Sequence, residues 1–340
     1  MPHGVPVRRD APSRRRYLPP SPVRSRPIPA TEATPCLLCG ADDSIPVVRS
    51  RAQLSLRRDV FTFVRCRRCA LIYLSPRVPE AAIGEWYGPD YLPHRGDAAW
   101  GRWSAFAAEG QRRTDRARVR RALGVATLSP SARVLDVGCG RPTFLEALHR
   151  RSRTRGVGLD VSDAGWRDDR PRWQAAELEL HQGRLEDVRL AAPFDMVTMW
   201  HALEHDYRPL ETLRRLQALA RQGATLLVEV PDHDGLTRRL HGPAWAGYHT
   251  PRHTAIYTQD TLRALLERAG WRLVRQYAHG TLDPYVLWWL GRQEQAGRPL
   301  DGSLERRFLP FLTGKILTLP VAALGRWIGL GVQLAVARRD

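Results

Sequence analysis

Lysine is nearly absent from this sequence: among its 53 basic residues, Lys315 is the single lysine and all the others are arginines. A formal net charge of +18 would ordinarily indicate an anionic partner. Such uniform use of arginine, however, is typical of a compositional preference rather than of a dedicated binding surface. We therefore expect no nucleic-acid partner.

The N-terminus has arginine and proline but no apolar periodicity. Residues 1–34 contain stretches such as "SRRRYLPPSPVRSRPIP", and this composition predicts a disordered tail. Contact of the tail with nucleic acid or with an anionic membrane is the alternative interpretation. No apolar stretch follows these arginines, as a secretory or twin-arginine signal would require, so we expect a cytoplasmic protein.

Long uninterrupted apolar runs are also lacking. None reaches the roughly 20 residues needed to span a bilayer, although residues 282–330 are strongly apolar between interruptions at Lys315, Pro320 and Arg326. This segment looks like an insertion before the last strand of the main domain. We interpret it either as a helical cap over a substrate site or as an interfacial helix in peripheral contact with a membrane or a lipid-linked substrate.

Cysteine is scarce too, but four of the five cysteines form two C-x-x-C pairs, Cys36 with Cys39 and Cys66 with Cys69. Two such pairs supply the four thiolates of a tetrahedral zinc site, and the loop between them closes it. A cytoplasmic setting disfavours disulfides, and redox chemistry would explain one pair but not two. We predict a zinc-knuckle module at 35–79, with a structural metal because no coordination position stays open.

Two further regions follow the cysteine pairs. Residues 80–126 carry scattered aromatics and then an arginine-rich helical pattern, which predicts a helical connector. From 127 to 340, apolar runs alternate with segments of helical spacing, beginning with "ARVLDVG", "TFLEALHRR" and "RGVGLDVS". This alternation predicts an α/β domain, a parallel sheet with helices on both faces, whose ligands lie at the carboxyl ends of the strands.

A third glycine is missing from the turn in "VLDVGCGRP", where Pro142 stands instead. Gly138 and Gly140 still allow positive φ and the close approach of a ligand. Proline is accepted at the start of a helix, because its missing N–H would have no partner there. Asp160 ends the next strand, where an acid can accept hydrogen bonds from ribose hydroxyls. The segment therefore predicts a nucleotide-cofactor loop.

The motif "VLDVGCG" resembles the signature of class I S-adenosylmethionine-dependent methyltransferases, and the resemblance extends through "FDMVTMWHALEH", "GATLLVEVP" and "TPRHTAIYTQDTLRALLERAGW". It is strongest to a bacterial branch with an N-terminal zinc knuckle and a P-R-H segment after the fifth strand. It implies a Rossmann-like, seven-stranded methyltransferase sheet, S-adenosylmethionine as the cofactor, and a set of cofactor-binding residues. The resemblance places Asp136, Gly138 and Gly140 at the methionine end of the cofactor and Asp160 at its ribose. It places Leu185 and Glu186 at the adenine, and Trp200 and His201 where the substrate meets the cofactor.

Methyl transfer from a sulfonium requires an aligned nucleophile and often the removal of its proton. Histidine suits this task at neutral pH, and "WHALEH" and "YHTPRH" place histidine pairs after the fourth and fifth strands. We favour His205 and His253 as proton acceptors. His201, Glu204 and His205 also share one helical face, so a divalent-metal site there is the alternative.

These features indicate a methyltransferase that acts by in-line transfer on a small biosynthetic intermediate, such as a sugar or a lipid-linked or secondary metabolite. Two alternatives stay open. One is an RNA or protein methyltransferase, favoured by the zinc knuckle and the charge; the other is a non-catalytic zinc-knuckle scaffold with a degenerate methyltransferase fold, for which Pro142 is the hint. The acceptor and the oligomeric state do not follow from the sequence, because substrate pockets depend on loops rather than on the fold.

Overall fold

A computed structural model describes residues 31–88, 91–298, 300, 302–325 and 327–340. Most of the predicted N-terminal tail, residues 1–30, lies outside these ranges. The strands are β1 (Ser44–Arg51), β2 (Val60–Cys66), β3 (Ile72–Leu74), β4 (Arg133–Val137), β5 (Arg155–Asp160), β6 (Glu179–Gln182), β7 (Phe194–Trp200), β8 (Ala220–Pro231), β9 (Ala255–Ile256), β10 (Arg272–Tyr277) and β11 (Val332–Arg338). The helices are α1 (Leu92–Arg95), α2 (Ser104–Val125), α3 (Thr143–Ser152), α4 (Arg170–Ala175), α5 (Pro209–Leu219), α6 (Leu236–His241), α7 (Gln259–Arg268), α8 (Pro284–Gln295), α9 (Phe308–Leu317) and α10 (Leu319–Leu324).

Seven strands form one sheet, in the order β10-β11-β8-β7-β4-β5-β6. The neighbours from β8 to β6 in this order run parallel, whereas β11 is antiparallel to both β8 and β10. The seven-stranded α/β sheet predicted from the sequence is therefore confirmed. Strand order reverses at β4, which lies between β5 and β7, and this is where sheets of this kind open a ligand crevice.

Strand β4 and helix α3 show how the local sequence builds this crevice. Val134 and Leu135 are buried in the centre of the sheet, as expected of a short apolar strand with neighbours on both sides. Helix α3 begins at Thr143 with Pro142 as its N-cap residue, so the proline stands immediately before the helix rather than inside it. The chain therefore turns from strand to helix within five residues, although the third glycine is absent.

Helices cover both faces of the seven-stranded sheet. On one face α2 and α3 pack against the strands, and the buried apolar side chains they contribute are Val119, Ala122, Phe144, Leu145 and Leu148. On the other face α5 and α7 contribute Leu213, Leu216, Leu262, Leu265 and Leu266. This second core also includes Cys36, Leu38, Cys66 and Tyr73 from the N-terminal region.

A second sheet, of four strands, joins the N-terminal region to the main domain. Its order is β1-β2-β3-β9, and every pair is antiparallel. Strand β9 comes from the segment after β8, and it places Ile256 beside Ile72 and Ala255 beside Tyr73. The cysteine-bearing region and the main domain thus share backbone hydrogen bonds as well as a core.

The apolar segment between β10 and β11 folds into α8, α9 and α10. Helix α8 packs against α6 and against a short 3-10 helix, Ala246–Tyr248. Helix α9 is attached through Phe308, which stacks on Trp103 with ring centroids 4.7 Å apart. Within the described ranges, no helix is both long and apolar enough to cross a membrane.

Candidate active site

A cleft of about 800 Å³ opens at the carboxyl ends of β4, β5 and β7. Six of the residues that the sequence placed at a site line it: Gly138, Asp160, Leu185, Glu186, His201 and His205. Its opposite wall comes from the connector, which contributes Glu80, Tyr87 and Tyr91. The sequence predicted packing of the connector aromatics but did not assign these three residues to the site.

The turn after β4 is shaped by its two glycines. Gly138 has a φ of +71°, and a Cβ atom there would lie 2.5 Å from the Cβ of Ala202. Gly140 has a φ of +50°, and its N–H donates to Oδ2 of Asp160 at 2.9 Å. Both residues therefore use conformations that other side chains rarely adopt, and the turn is intact despite Pro142.

Two aspartates near this turn have different surroundings. The carboxylate of Asp160 accepts the N–H groups of Gly140 and of Ser162, and it stands at the wall of the cleft. Asp136 is buried beneath the cleft, where it accepts a hydrogen bond of 2.6 Å from the hydroxyl of Thr198. Burial raises the pKa of Asp136 to about 7. Asp160 is thus placed to meet a ligand, whereas Asp136 supports the site from below.

An ion-pair network closes the end of the cleft where the sequence predicted adenine. Arg208 pairs with Glu186 at 2.5 Å and with Glu80 at 2.9 Å, and Arg184 pairs with Glu80 at 2.6 Å. Leu185 is buried between these charges and offers an apolar surface to the cleft. Glu186 therefore has cationic partners from the chain itself, which orient it.

His201 stands between two buried carboxylates. Its Nδ1 lies 3.2 Å from Oε1 of Glu204 and its Nε2 lies 3.1 Å from Oε1 of Glu229. Burial alone would lower the pKa of His201, but its hydrogen bonds to these two acids and their charges raise it to about 9. The backbone φ of +57° turns the side chain into this position. His201 is therefore a fixed cation at neutral pH, with both ring nitrogens in use.

Three other histidines form a cluster next to His201. The rings of His205 and His253 have centroids 4.5 Å apart, and those of His249 and His253 are 4.9 Å apart. Burial lowers the pKa of His205, and burial lowers those of His249 and His253 well below the usual range. The three rings are therefore neutral at pH 7. Of the two predicted proton acceptors, His205 lines the cleft and His253 lies behind it.

Besides Asp136 and His253, two further predicted residues do not reach the cleft wall. Trp200 is buried on the α3 face of the sheet, where its ring packs edge-on against Phe144 with centroids 5.3 Å apart. Its neighbour Met199 lines the cleft instead, because successive side chains of a strand point to opposite faces. Gly140 contributes its N–H to Asp160 and is not among the residues lining the cleft.

Arg252 is a buried cation that the sequence did not place at the site. Its guanidinium donates to the carbonyl oxygens of Trp86 and Gln53 and lies 4.4 Å from the ring centroid of Tyr91. It thereby fixes the connector against the main domain. In the sequence, the only pointer to Arg252 was its place in the "PRH" segment named in the resemblance. The structure shows that the neighbours of Arg252 in this loop are buried.

The four paired cysteines converge on one point. The Sγ atoms of Cys36 and Cys69 are 3.3 Å apart, and those of Cys39 and Cys66 are 3.5 Å apart. The two turns have the same form, because the N–H of Gly40 donates to the carbonyl oxygen of Cys36 and the N–H of Ala70 donates to that of Cys66. Four converging thiols in matched turns fit a tetrahedral zinc ion.

The chain matches one family of known proteins over half of its length. The family model described as "Methyltransferase domain" covers residues 106–276. The ubiquinone biosynthesis O-methyltransferase of Aeromonas salmonicida (strain A449) is 29% identical over 99 residues, which are 28% of this chain and 42% of that protein. The chain thus matches less than half of the length of this relative.

Solved structures with similar folds include a cyclopropane synthase and a SAM dependent methyltransferase, both at low identity. The cyclopropane synthase MmaA2 from Mycobacterium tuberculosis is 21% identical, with a TM-score of 0.43 over 65% of this chain and 83% of that one. A SAM dependent methyltransferase from Aquifex aeolicus is 13% identical, with a TM-score of 0.41 over 67% of this chain and 93% of that one. The family model is the decisive finding, because it spans the glycine turn, the strands from β4 nearly to the end of β10, and the part of the cleft that the main domain lines. The chain belongs to the methyltransferase domain family.

Proposed function

We propose that this protein is an S-adenosylmethionine-dependent methyltransferase that acts on a small biosynthetic intermediate. The observation that carries the proposal is the intact cradle at the switch point of the sheet: Gly138 and Gly140 at positive φ, with the carboxylate of Asp160 bonded to the Gly140 N–H. A scaffold that binds no cofactor would not require two positions of this turn at positive φ. The findings favour neither that scaffold nor an RNA or protein methyltransferase.

The residues around the cleft support distinct tasks. S-adenosylmethionine supplies a methyl group on a sulfonium, ready for in-line displacement. Asp160 has lone pairs left for ribose hydroxyls after accepting its two backbone N–H groups. Leu185 offers apolar surface for the base, and the glycine turn leaves room for the methionine end. His205 is the neutral histidine that lines the cleft, and with His253 behind it we propose that it assists loss of the acceptor's proton.

The walls of the cleft favour a small acceptor. Tyr87 and Tyr91 lie across from the glycine turn and enclose the space beside His205. A macromolecular substrate would need an open, cationic approach, whereas the exposed arginines at the cleft, Arg184 and Arg208, are paired with acids. The similarity to a quinone O-methyltransferase is consistent with a hydroxyl acceptor on a sugar, a lipid-linked compound or a secondary metabolite.

We also propose peripheral contact with a membrane through α9 and α10. Among the described residues, none that lines the cleft comes from 282–330, so the cap interpretation gains no support. The exposed large apolar side chains of this segment are Leu309, Ile316, Leu317, Leu319, Val321, Leu324, Trp327 and Ile328. Residues 306–339 include six basic residues and no acid, which suits an anionic lipid surface in the cytoplasm.

Finally, we propose that the four converging cysteines hold one structural zinc ion. Each of the four thiols would be a ligand, which leaves no open position for chemistry. The site lies between β1, β2 and the core of the main domain, so its task would be to hold these parts together.

Calorimetry with S-adenosylmethionine tests the central proposal. The wild-type protein should bind the cofactor, and Asp160→Ala should weaken binding by about 1–3 kcal/mol, the contribution of a charge-assisted hydrogen bond. Asp168→Ala is the matched control, because this exposed carboxylate lies outside the cleft. No binding by the folded wild-type protein would refute the proposal; equal affinity for all three proteins would remove Asp160 from the ribose site.

The acceptor can be found with the same protein. Comparison of metabolites between a deletion strain and its parent should reveal a compound that lacks one methyl group, and purified protein should restore that group. His205→Gln should then keep cofactor affinity while turnover falls roughly 10²–10⁴-fold. Wild-type turnover in this variant would end the assignment of His205.

A further inference from the structure

The rings of His205, His249 and His253 converge on one point beside the cleft. One ring nitrogen from each lies within 4.8 Å of the other two. The three planes are nearly perpendicular to one another, at 79°, 83° and 83°. Aromatic rings in a core also pack edge to face at such angles, so the informative observation is the position of the nitrogens. Here the nitrogens, and not the carbon edges, are brought together.

The outer nitrogen of each ring is bonded to an oxygen atom. Nδ1 of His253 lies 2.8 Å from the carbonyl oxygen of Gly247, and Nδ1 of His205 lies 3.2 Å from that of Arg252. A carbonyl oxygen only accepts, so Nδ1 of His253 carries a proton and its Nε2 keeps a lone pair. Nδ1 of His205 also lies 3.0 Å from the hydroxyl of Tyr87; a proton on this Nδ1, donated to the Arg252 carbonyl, would leave Nε2 of His205 with a lone pair as well. Nε2 of His249 lies 3.2 Å from the hydroxyl of Tyr91. Outer oxygens that fix each ring in this way are typical of metal-bound histidines.

The inner nitrogens have the spacing that a metal ion requires. Nδ1 of His249 is 3.3 Å from Nε2 of His253. Two nitrogens that each lie about 2.0–2.1 Å from a tetrahedral ion are roughly 3.3 Å apart. The distance therefore accommodates an ion without movement of these two rings.

A carboxylate balances positive charge at this point. Oε1 of Glu204 lies 4.0 Å from Nε2 of His253. Its Oε1 already faces the His201 cation, whereas its Oε2 is buried, has no hydrogen-bond partner among the described residues and keeps its lone pairs for a second cation. The set with His201 that the sequence offered is not available, because both nitrogens of His201 are taken by Glu204 and Glu229.

We propose that His205, His249 and His253 bind a divalent transition-metal cation, with a fourth position open toward the cleft. Imidazole ligands suit ions such as Zn²⁺ and Fe²⁺, and three protein ligands with one open position are typical of a reactive site. The inference rests on the proposed function, because the open position lies where the acceptor would be. An acceptor hydroxyl bound there loses its proton to water more readily, so the histidines assist through the cation rather than as free bases.

Cobalt(II) substitution of the full-length protein tests this site. Protein stripped with a chelator and reloaded should bind two equivalents of Co²⁺ per chain. The cysteine site gives sulfur-to-cobalt charge-transfer absorption, whereas a three-histidine site gives only weaker ligand-field bands. His249→Ala should lose the second equivalent and keep the charge-transfer band. His241→Ala is the control, because this buried histidine lies outside the cluster and bonds to Gln295.

The outcomes separate this inference from the proposed function. One equivalent of cobalt in the wild-type protein, with charge-transfer absorption only, would overturn the histidine site, and this result does not depend on any variant folding. Retention of two equivalents by folded His249→Ala would overturn it as well. If the cofactor still binds and methyl transfer continues without the second ion, the methyltransferase proposal stands and His205 returns to the role of a free base.

Discussion

At the residue scale, Asp136 and Asp160 show how position decides the chemistry of one side-chain type. Both lie in parallel strands near the same edge of the sheet, but Asp160 receives two N–H groups at the cleft wall and Asp136 lies beneath it with Thr198. A buried carboxyl group without a cationic partner favours its neutral form. Asp136 is therefore a source of pH-dependent stability, whereas Asp160 is a candidate ligand.

Asp136→Asn should change how stability depends on pH. The pKa of Asp136 is about 7 in the folded state, against an ordinary value of 3.8. Between these pH values the carboxyl group of Asp136 stays protonated in the folded state but is ionised in the unfolded state. The free energy of unfolding of the wild-type protein therefore falls as pH rises from about 4 toward 7. The asparagine of the variant does not titrate. The free energy of unfolding of the variant relative to wild type should rise across this window by up to about 4 kcal/mol.

Urea unfolding at intervals from pH 4 to pH 8 measures this difference. The charges of Arg118, Asp115 and Asp160 also act on Asp136, and these three residues are the same in both proteins. Asp168→Asn, at an exposed position, is the control and should follow the wild-type curve. A constant difference between wild type and Asp136→Asn would contradict the raised pKa.

At the scale of elements, the turn between β4 and α3 contains two glycines that are required for different physical reasons. Gly138 needs both positive φ and the absence of a side chain, since Ala202 approaches it from the loop after β7. Gly140 needs only positive φ, because nothing lies within 4 Å of where its Cβ would be. The two positions therefore separate backbone strain from steric conflict.

The pair Gly138→Ala and Gly140→Ala exploits this difference. Each variant should lose about 1–2 kcal/mol from the left-handed backbone. Gly138→Ala should also push the loop at Ala202 away from the cleft and weaken S-adenosylmethionine binding at least roughly tenfold more than Gly140→Ala does. Calorimetry and melting temperatures of both variants test this. Equal effects would show that the approach of Ala202 is not a constraint.

Most of the central sheet could be predicted from local sequence. Strands β4, β5, β7, β8, β10 and β11 and helices α3, α5 and α7 all correspond to apolar runs or helical spacing of ordinary length. Helix α5 ends earlier than its pattern, at Leu219, because Ala220 pairs with Phe194 and begins β8. The two-residue strand β9 had no local signal, since its existence depends on pairing with β3.

The residues of the site that belong to a local sequence motif could be predicted. Those that come from segments far apart in the chain could not. The glycine turn and Asp160 lie in one continuous motif, and their placement at the cleft matches the resemblance. Tyr87, which lines the cleft, and Arg252 are far apart in the chain, and only the folded structure places the Arg252 guanidinium 5.5 Å from the ring centroid of Tyr87. Trp200 is turned away from the cleft by strand alternation, which a position-by-position comparison does not reveal at a strand end.

At the scale of the whole molecule, most of the exposed large apolar side chains among the described residues lie in one region, α9 and α10 with their surroundings. Phe106 lies next to the α9–α10 surface, with its ring 5.6 Å from that of Phe308, and it is 60% exposed. Soluble proteins rarely leave such a contiguous apolar patch uncovered. Residues 306–339 themselves contain no acid, although Asp283 pairs with Lys315 at 2.6 Å, and this charge favours an anionic bilayer over another copy of this chain.

Vesicle sedimentation tests this surface. Wild-type protein should pellet with vesicles of phosphatidylglycerol and phosphatidylcholine, and less with phosphatidylcholine alone. Ile316→Asp combined with Leu317→Asp should reduce binding more than tenfold, because each buried apolar side chain contributes about 1.5–3 kcal/mol. Leu56→Asp, at an exposed leucine outside the segment, is the control. Equal pelleting of all three proteins, or a dimer in sedimentation velocity that the double variant dissociates, would contradict the membrane assignment.

Zinc removal should weaken the whole molecule rather than one end of it. Cys36 and Cys66 belong to the same buried core as α5 and α7, so loss of the ion exposes a core that both regions use. Cys66→Ser should lose one equivalent of zinc by elemental analysis and melt at a lower temperature in a single transition. Cys139→Ser, at a buried cysteine outside the cluster, should retain that zinc. Absence of zinc from gently purified wild-type protein would refute the site.

The pairing of β3 with β9 has a consequence for how the chain is made. A ribosome releases Ile72 to Leu74 long before Ala255 and Ile256 exist, so the edge of the four-stranded sheet stays unpaired through most of synthesis. An open strand edge invites pairing with other nascent chains. A zinc ion captured early by the four cysteines would keep β1, β2 and β3 folded as a short, twisted unit during this interval. Besides stabilising the finished protein, the metal would then protect an unpaired strand edge during translation.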